Sequence, residues 1–183
     1  MSRIAMIEPD AAQGRAQELL TQVKAALGLV PNMTKAMANS PALLQGYLAL
    51  SGALGTGAFD AGTRELIAIT VADANSCSYC LSAHTYIGEH IAKLGPEALE
   101  QARDAASSDS RTAAVLGLAD GVVRHRGHVD DATFAQARGA GLTDSDIAET
   151  VGHVALNVLT NLFNSLAQVD NDWPALAPRK AAA

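Results

Sequence analysis

An all-α fold is predicted by three features of this 183-residue chain. Its apolar residues recur at spacings of three and four, Ala and Leu dominate among them, and the alternating β-branched or aromatic runs that make strands are missing. The length suits one domain with a sizeable core, expected over residues 1–172, with 173–183 as a loosely ordered tail carrying Pro174, Pro178 and three closing alanines.

The first helix is predicted from about Asp10 through Leu27, where Gly28 supplies the left-handed residue that closes it. Val30-Pro31-Asn32 then reads as an extended break. Ser40 before Pro41 is a start signal, an N-cap followed by proline at the first helical position, for a helix through roughly Leu54. Asp60 caps the next, Thr63 to about Ala74, with Leu66, Ile67, Ile69 and Thr70 or Val71 toward a core. Asp73-Ala74-Asn75-Ser76 is rich in residues that compete with helix hydrogen bonds, so a break is predicted there and a new helix from about Ser76 to Leu94, stopped by Gly95-Pro96. Shorter helices follow at 97–106, 111–125 and 131–138. The last, capped by Thr143 and running to about Val169, is apolar around most of its circumference and belongs at the centre or at a subunit interface. His153, Asn157, Asn161 and Asn164 form a polar stripe along it, most simply read as buried hydrogen bonding that fixes register, with substrate contact as the alternative.

Bulk charge narrows the function classes. With a formal charge of −6, a pI near 5.2 and thirteen scattered Lys and Arg, neither nucleic acid nor an anionic membrane is an expected partner. The sequence contains no signal-like apolar stretch and no run long enough to span a bilayer, which reads as a cytoplasmic chain. That compartment bears on the cysteines, because reducing cytosol disfavours permanent structural disulfides. There are only two, Cys77 and Cys80, in a C-x-x-C spacing that points to redox or metal chemistry.

On a helix of 3.6 residues per turn, Cys77, Cys80 and His84 share one face, with the imidazole about one turn beyond Cys80. A cysteine at a helix start is also favoured as thiolate by the unpaired N–H groups and the positive end of the macrodipole. If the helices flanking Asn75 form a hairpin, Glu65 lies opposite residue 84 or 85 and can orient the imidazole as a base. Such a pair can reduce a peroxide, being itself oxidised through sulfenic acid to an intramolecular disulfide that an external thiol then reduces. Spacing leaves open which sulfur attacks: the helix terminus favours Cys77, the histidine Cys80. Zinc held by Cys77, Cys80, His84 and Glu65 is a rival, weakened by the missing second C-x-x-C or H-x-x-x-H, and a purely structural pair of small thiols is another. His90 reads as solvated, His125 and His128 as a basic helix end, Tyr47 and Tyr86 as core or pocket wall, and Trp173 as an anchor for the tail.

The run Arg64-Glu65-Leu66-Ile67-Ala68 followed by Cys77-Ser78-Tyr79-Cys80-Leu81-Ser82-Ala83-His84 resembles the AhpD-like alkylhydroperoxidases of the carboxymuconolactone decarboxylase superfamily. Val30-Pro31-Asn32-Met33, Ser40-Pro41 and the segment from His153 to Asn164 are similar to its peroxidase-related branch. The resemblance implies an all-α bundle assembling as trimers or hexamers, with no metal or organic cofactor. It further implies a small hydroperoxide substrate, an external dithiol or thiol-protein reductant, Cys80 as the attacking or exchange-active thiol, Cys77 as its disulfide partner, and His84 with Glu65 as proton relay. Tyr79 departs from the histidine that the best-known members carry before the second cysteine, which leaves the length of that relay and the identity of the reductant open. A redox sensor without turnover and a cofactor-free lactone decarboxylase are the alternative functions.

Overall fold

In the computed structural model, residues 2–179 are described, and among them the chain forms nine α-helices and no strand, as an all-α reading requires. Helix α1 (Gly14–Leu27) ends at Gly28, whose φ of 75° lets its N–H return to the Lys24 carbonyl. It starts later than Asp10, which stands in a turn. Helix α2 (Asn32–Met37) was not expected. Pro31 precedes it without any side-chain cap, so no start signal marks it, and its first turn is held by the Thr34 and Lys35 N–H groups bonding to the Pro31 carbonyl. Helix α3 (Pro41–Gly55) starts where Ser40 accepts the Leu43 N–H, and α4 (Ala61–Ala74) where Asp60 accepts the Thr63 N–H at 2.7 Å. Helix α5 (Ser78–His90) stops short of Leu94, and the chain turns through Lys93 at a positive φ of 59° before α6 (Pro96–Ala102). Caps by Asp109 and Asp130 open α7 (Ser110–Arg124) and α8 (Asp131–Gly139). A reciprocal capping box of Thr143 and Asp146 opens α9 (Asp144–Ala167).

Helix α4 is the hub, packed against α5, α6, α7 and α9. Every residue from Leu66 to Asp73 is buried, so this stretch of the helix has no solvent face and its Thr70 and Asp73 must find partners inside. Thr70 donates to the Ala102 carbonyl at 2.7 Å, and Asp73 accepts from Arg103 at 2.8 Å, tying α6 against the hub. Leu116 of α7 is fully enclosed, and α7 packs on both α4 and α9. Leu116→Ala is expected to destabilise the protein by about 3 kcal/mol, read as a lower midpoint in urea, because the hub's surroundings cannot collapse into the gap. Helix α9 is central on one face, yet Val151, Leu162 and Leu166 stand exposed on another.

The final segment is held at more points than a loose tail would be. Tyr79 donates to Asp172 at 2.6 Å, Ser82 accepts the Leu176 N–H at 2.9 Å, Arg103 donates to the Ala177 carbonyl, and Arg179 pairs with Glu100 and Asp104. Trp173 packs its ring on Tyr86 with centroids 5.1 Å apart, as an anchoring aromatic should. Proline content argued for fraying, but the polar groups that fix this strap lie far away in sequence and carried no local signal. The three closing alanines fall outside the described residues.

Candidate active site

The α4–α5 hairpin builds the site. At its turn Ser76 takes a left-handed φ of 55°, and the Cys77 N–H bonds back to the Ala72 carbonyl at 2.9 Å, closing α4. Asn75 is tied to α9 by donating to Asn161 at 2.9 Å. Cys77 is then the N-cap of α5, its sulfur accepting the Cys80 N–H at 3.3 Å. Reversal at this turn brings Glu65 of α4 beside His84 of α5, with the carboxylate 2.8 Å from Nδ1. All four predicted residues are thereby gathered at one hairpin.

The two sulfurs stand 2.6 Å apart and each residue is 2% exposed, so a disulfide between them needs no backbone rearrangement. Their protons are unequally held. The Cys77 thiol is pulled below its ordinary pKa of 9.0, chiefly by the hydrogen bond from the Cys80 thiol and, against the opposing effect of burial, by the Cys80 N–H, the Ser165 hydroxyl and the His84 charge. Burial pushes the Cys80 thiol well above that value, and its bond to Cys77 and the Cys77 charge add to the rise. Of the two sulfurs, Cys77 is therefore the one favoured as thiolate. Burial opposes charge on His84, but the Glu65 carboxylate outweighs it and raises the imidazole above 6.5. Among the described residues no hydrogen bond joins His84 to either sulfur, so the predicted reach from His84 to Cys80 is a shared cavity wall rather than a bond.

One partner of the pair and one brace beside it carried no clear signal in the sequence. Asn164 of α9 donates to the Cys80 sulfur at 3.2 Å and to the Met33 sulfur at the same distance, so the polar stripe is more than a register device at this position. Asn157 does act structurally, bonding the His153 carbonyl, whereas Asn161 accepts from Asn75 and also meets the Cys80 sulfur. Tyr79, between the cysteines, accepts the Met33 N–H at 3.3 Å while donating to Asp172, and burial with the Asp172 bond and charge raises its phenol far above 10 against the opposing effect of the Met33 N–H. It is held as a neutral brace between α2 and the final segment. The stripe itself was the available signal for Asn164; nothing local pointed to Asp172.

A cavity of about 410 Å³ opens beside Cys80, with Tyr47, Tyr86, Ile87, Leu156 and Trp173 forming apolar wall and Glu65 and His84 at the sulfur end. Burial, with the nearby Cys80 and Glu65 charges, pushes the Tyr47 phenol up to about 12, so this wall is uncharged at neutral pH. His90 is exposed at the rim with its ring edge-on to Tyr86 at 4.2 Å, a cavity wall rather than a purely solvated side chain. His153 also faces the cavity; burial lowers its pKa, so it is neutral there, 3.6 Å from Glu149. Glu149 accepts the Ala58 and Phe59 N–H groups, and its carboxylate occupies the space a β-carbon on Gly57 would need. A second hollow of about 310 Å³ lies on the Cys77 side, among Ser76, Ser78, Asn164, Ser165 and Gln168. Among the described residues no group of three or more His, Cys, Asp or Glu is placed to hold a metal, and no helix is long and apolar enough to cross a membrane.

A helical hub paired with a C-x-x-C helix, with Glu and His across the hairpin, defines a class that comparison with known proteins identifies. The model of the carboxymuconolactone decarboxylase family matches residues 41–120. Among solved structures, a peroxidase-related protein with the alkylhydroperoxidase AhpD core from Ralstonia eutropha JMP134 is 27% identical, with a TM-score of 0.82 over 93% of this chain and 92% of its own. A peroxidase-related protein from Silicibacter sp. TM1040 is 26% identical, with a TM-score of 0.73 over 84% and 83%. The debrominase Bmp8, solved with 2,3,4-tribromopyrrole, shares the fold at 17% identity and a TM-score of 0.79 over 92% and 91%. No curated protein matches by sequence. Residues 41–120 thus resemble the carboxymuconolactone decarboxylase family, and the chain has the AhpD-like fold of these peroxidase-related proteins. The fold serves more than one reaction, as the debrominase makes plain.

Proposed function

We propose that this protein is a thiol-dependent peroxidase that reduces organic hydroperoxides at the Cys77/Cys80 pair and is reset by an external dithiol or thiol protein. The observation that carries this reading is the placement of the pair: Cys80 on the wall of an apolar cavity, with the Cys77 sulfur 2.6 Å behind it. The cycle balances as follows. Cys80 passes its proton to Cys77 as its sulfur attacks the terminal peroxide oxygen; the O–O bond breaks, Cys80 becomes sulfenic acid and the alkoxide takes a proton from His84 to leave as alcohol. Cys77 returns its proton to the hydroxyl that departs as water while its sulfur bonds to Cys80, completing the disulfide. Glu65 holds the imidazole and favours its recharging by solvent. Two thiol electrons each from the pair and then from the reductant account for one peroxide reduced.

The apolar walls favour an organic hydroperoxide over hydrogen peroxide. Removing one of them by Trp173→Ala is expected to lower kcat/KM for cumene hydroperoxide about tenfold, the scale of one lost aromatic contact, while hydrogen peroxide changes within about twofold. Exposed Val151, Leu162 and Leu166 fit a homo-oligomer, a trimer or hexamer, in the cytoplasm. The direct test is sustained consumption of cumene hydroperoxide with dithiothreitol as reductant, well beyond one equivalent per chain. A single round of oxidation without turnover makes the protein a redox sensor, and lactone decarboxylation persisting in a Cys77→Ser, Cys80→Ser variant makes it a decarboxylase.

A further inference from the structure

The two cysteines face opposite sides of the hairpin. Cys80 is on the wall of the apolar cavity and is absent from the second hollow; Cys77 lines the second hollow and is absent from the first. Tyr79 and Asn164 belong to both and form the partition. Tyr79 is fastened at both ends of its hydroxyl, so this partition does not open by a simple swing of the ring. The hollow over Cys77 has a different chemistry from the cavity. Exposed Ser78, Ser165 and Gln168 surround the buried sulfur, and the Asn164 Oδ1, itself buried, has no hydrogen-bond partner.

We propose that this hollow, the more polar of the two, is the entrance for the reducing thiol, so that peroxide and reductant reach the pair from opposite sides. The proposal rests on the redox-pair reading above and names the second substrate as a polar thiol or dithiol. Attack on a disulfide runs along the S–S axis, opposite the departing sulfur. With Cys80 turned to the apolar cavity, the line of approach to Cys77 comes from the hollow. The incoming thiolate bonds to Cys77 and the S–S bond breaks; Cys80 leaves as thiolate, received by the Asn164 amide at 3.2 Å and then protonated from solvent. The second thiol of the reductant attacks its own sulfur in the mixed disulfide, releasing Cys77 as the thiolate its surroundings favour and the reductant as a disulfide. Separate entrances keep substrate and reductant from competing for one pocket.

The test begins with protein oxidised by diamide, so that it does not depend on peroxide chemistry. Reaction with excess glutathione, acid quenching and alkylation is followed by fragment-ion mass spectrometry of the peptide spanning both cysteines. Glutathione on Cys77 with the alkyl group on Cys80 is expected; the reverse placement overturns the proposal. In parallel, Gln168→Trp, in the hollow, is expected to slow reduction by dithiothreitol about tenfold, and Ile87→Trp, in the apolar cavity, to change it less than about twofold. Equal slowing by both, or slowing by Ile87→Trp alone, overturns it as well. Loss of peroxide turnover alongside glutathione on Cys77 would reject the peroxidase reading and leave this one standing.

Discussion

Cys80→Ser is expected to bring cumene hydroperoxide turnover down to the uncatalysed background, a loss of at least about 1,000-fold, because a serine hydroxyl at that position is neither ionised nor soft enough to attack oxygen. The partner variant separates the two roles. Cys77→Ser should still consume one equivalent of peroxide, since Cys80 keeps its place on the cavity wall, but it should not turn over. Without the sulfur 2.6 Å away to condense with it, the sulfenic acid is expected to gain further oxygen under excess peroxide, visible as successive oxygen additions in the intact mass. The rate of that first equivalent should also fall, because the thiolate that accepts the Cys80 proton is gone. Equal, full activity in the two variants would remove the pair from the chemistry.

His84→Ala is expected to lower kcat/KM about 100-fold, the usual worth of a positioned proton donor. The pH profile gives a sharper reading. Activity requires Cys77 ionised and His84 protonated. Cys77 is lowered from 9.0, so the acidic limb rises as it loses its proton, at a pH below that of a free thiol. His84 is raised from 6.5, so the alkaline limb falls as it deprotonates, above the pH of a free imidazole. Glu65→Gln removes the charge that raises His84 and should move the alkaline limb to lower pH while leaving the fold intact. Stability follows the same linkage. A histidine whose folded pKa is raised contributes stability that is full below its unfolded value of 6.5 and is lost as pH rises through the folded value, so the Tm difference between native protein and Glu65→Gln should shrink with rising pH over that window. An alkaline limb that stays in place in Glu65→Gln would exclude the relay.

Much of this architecture could be read in advance because its signals are local. Ser40-Pro41, Asp60, Thr143 and Gly28 mark helix ends by chemistry confined to three or four residues, and each does so in the structure. The Glu65–His84 contact followed from counting residues across one turn, and it holds because Asn75 and Ser76 reverse the chain without inserting a further element. What stayed hidden depends on distant partners. Asn164 meets Cys80 only because α9 packs on α5, 84 positions away, and Asp172 meets Tyr79 across 93 positions. Helix α2 has no cap, and its burial of Met33 and Met37 against the core stabilises it where propensity does not. The inequality of the two thiols was legible only in part. A helix start favours Cys77, but the enclosure that holds the proton on Cys80 is a property of the packed interior.

On this mechanism Cys77 and Cys80 act as one two-electron centre. Counting free thiols in the native protein after a single equivalent of cumene hydroperoxide, without reductant, addresses it most directly. Both thiols are expected to vanish together, dithiothreitol to restore both, and the non-reduced intact mass to fall by two hydrogens. Two thiols left untouched, or one lost with oxygen added to the chain, would contradict it.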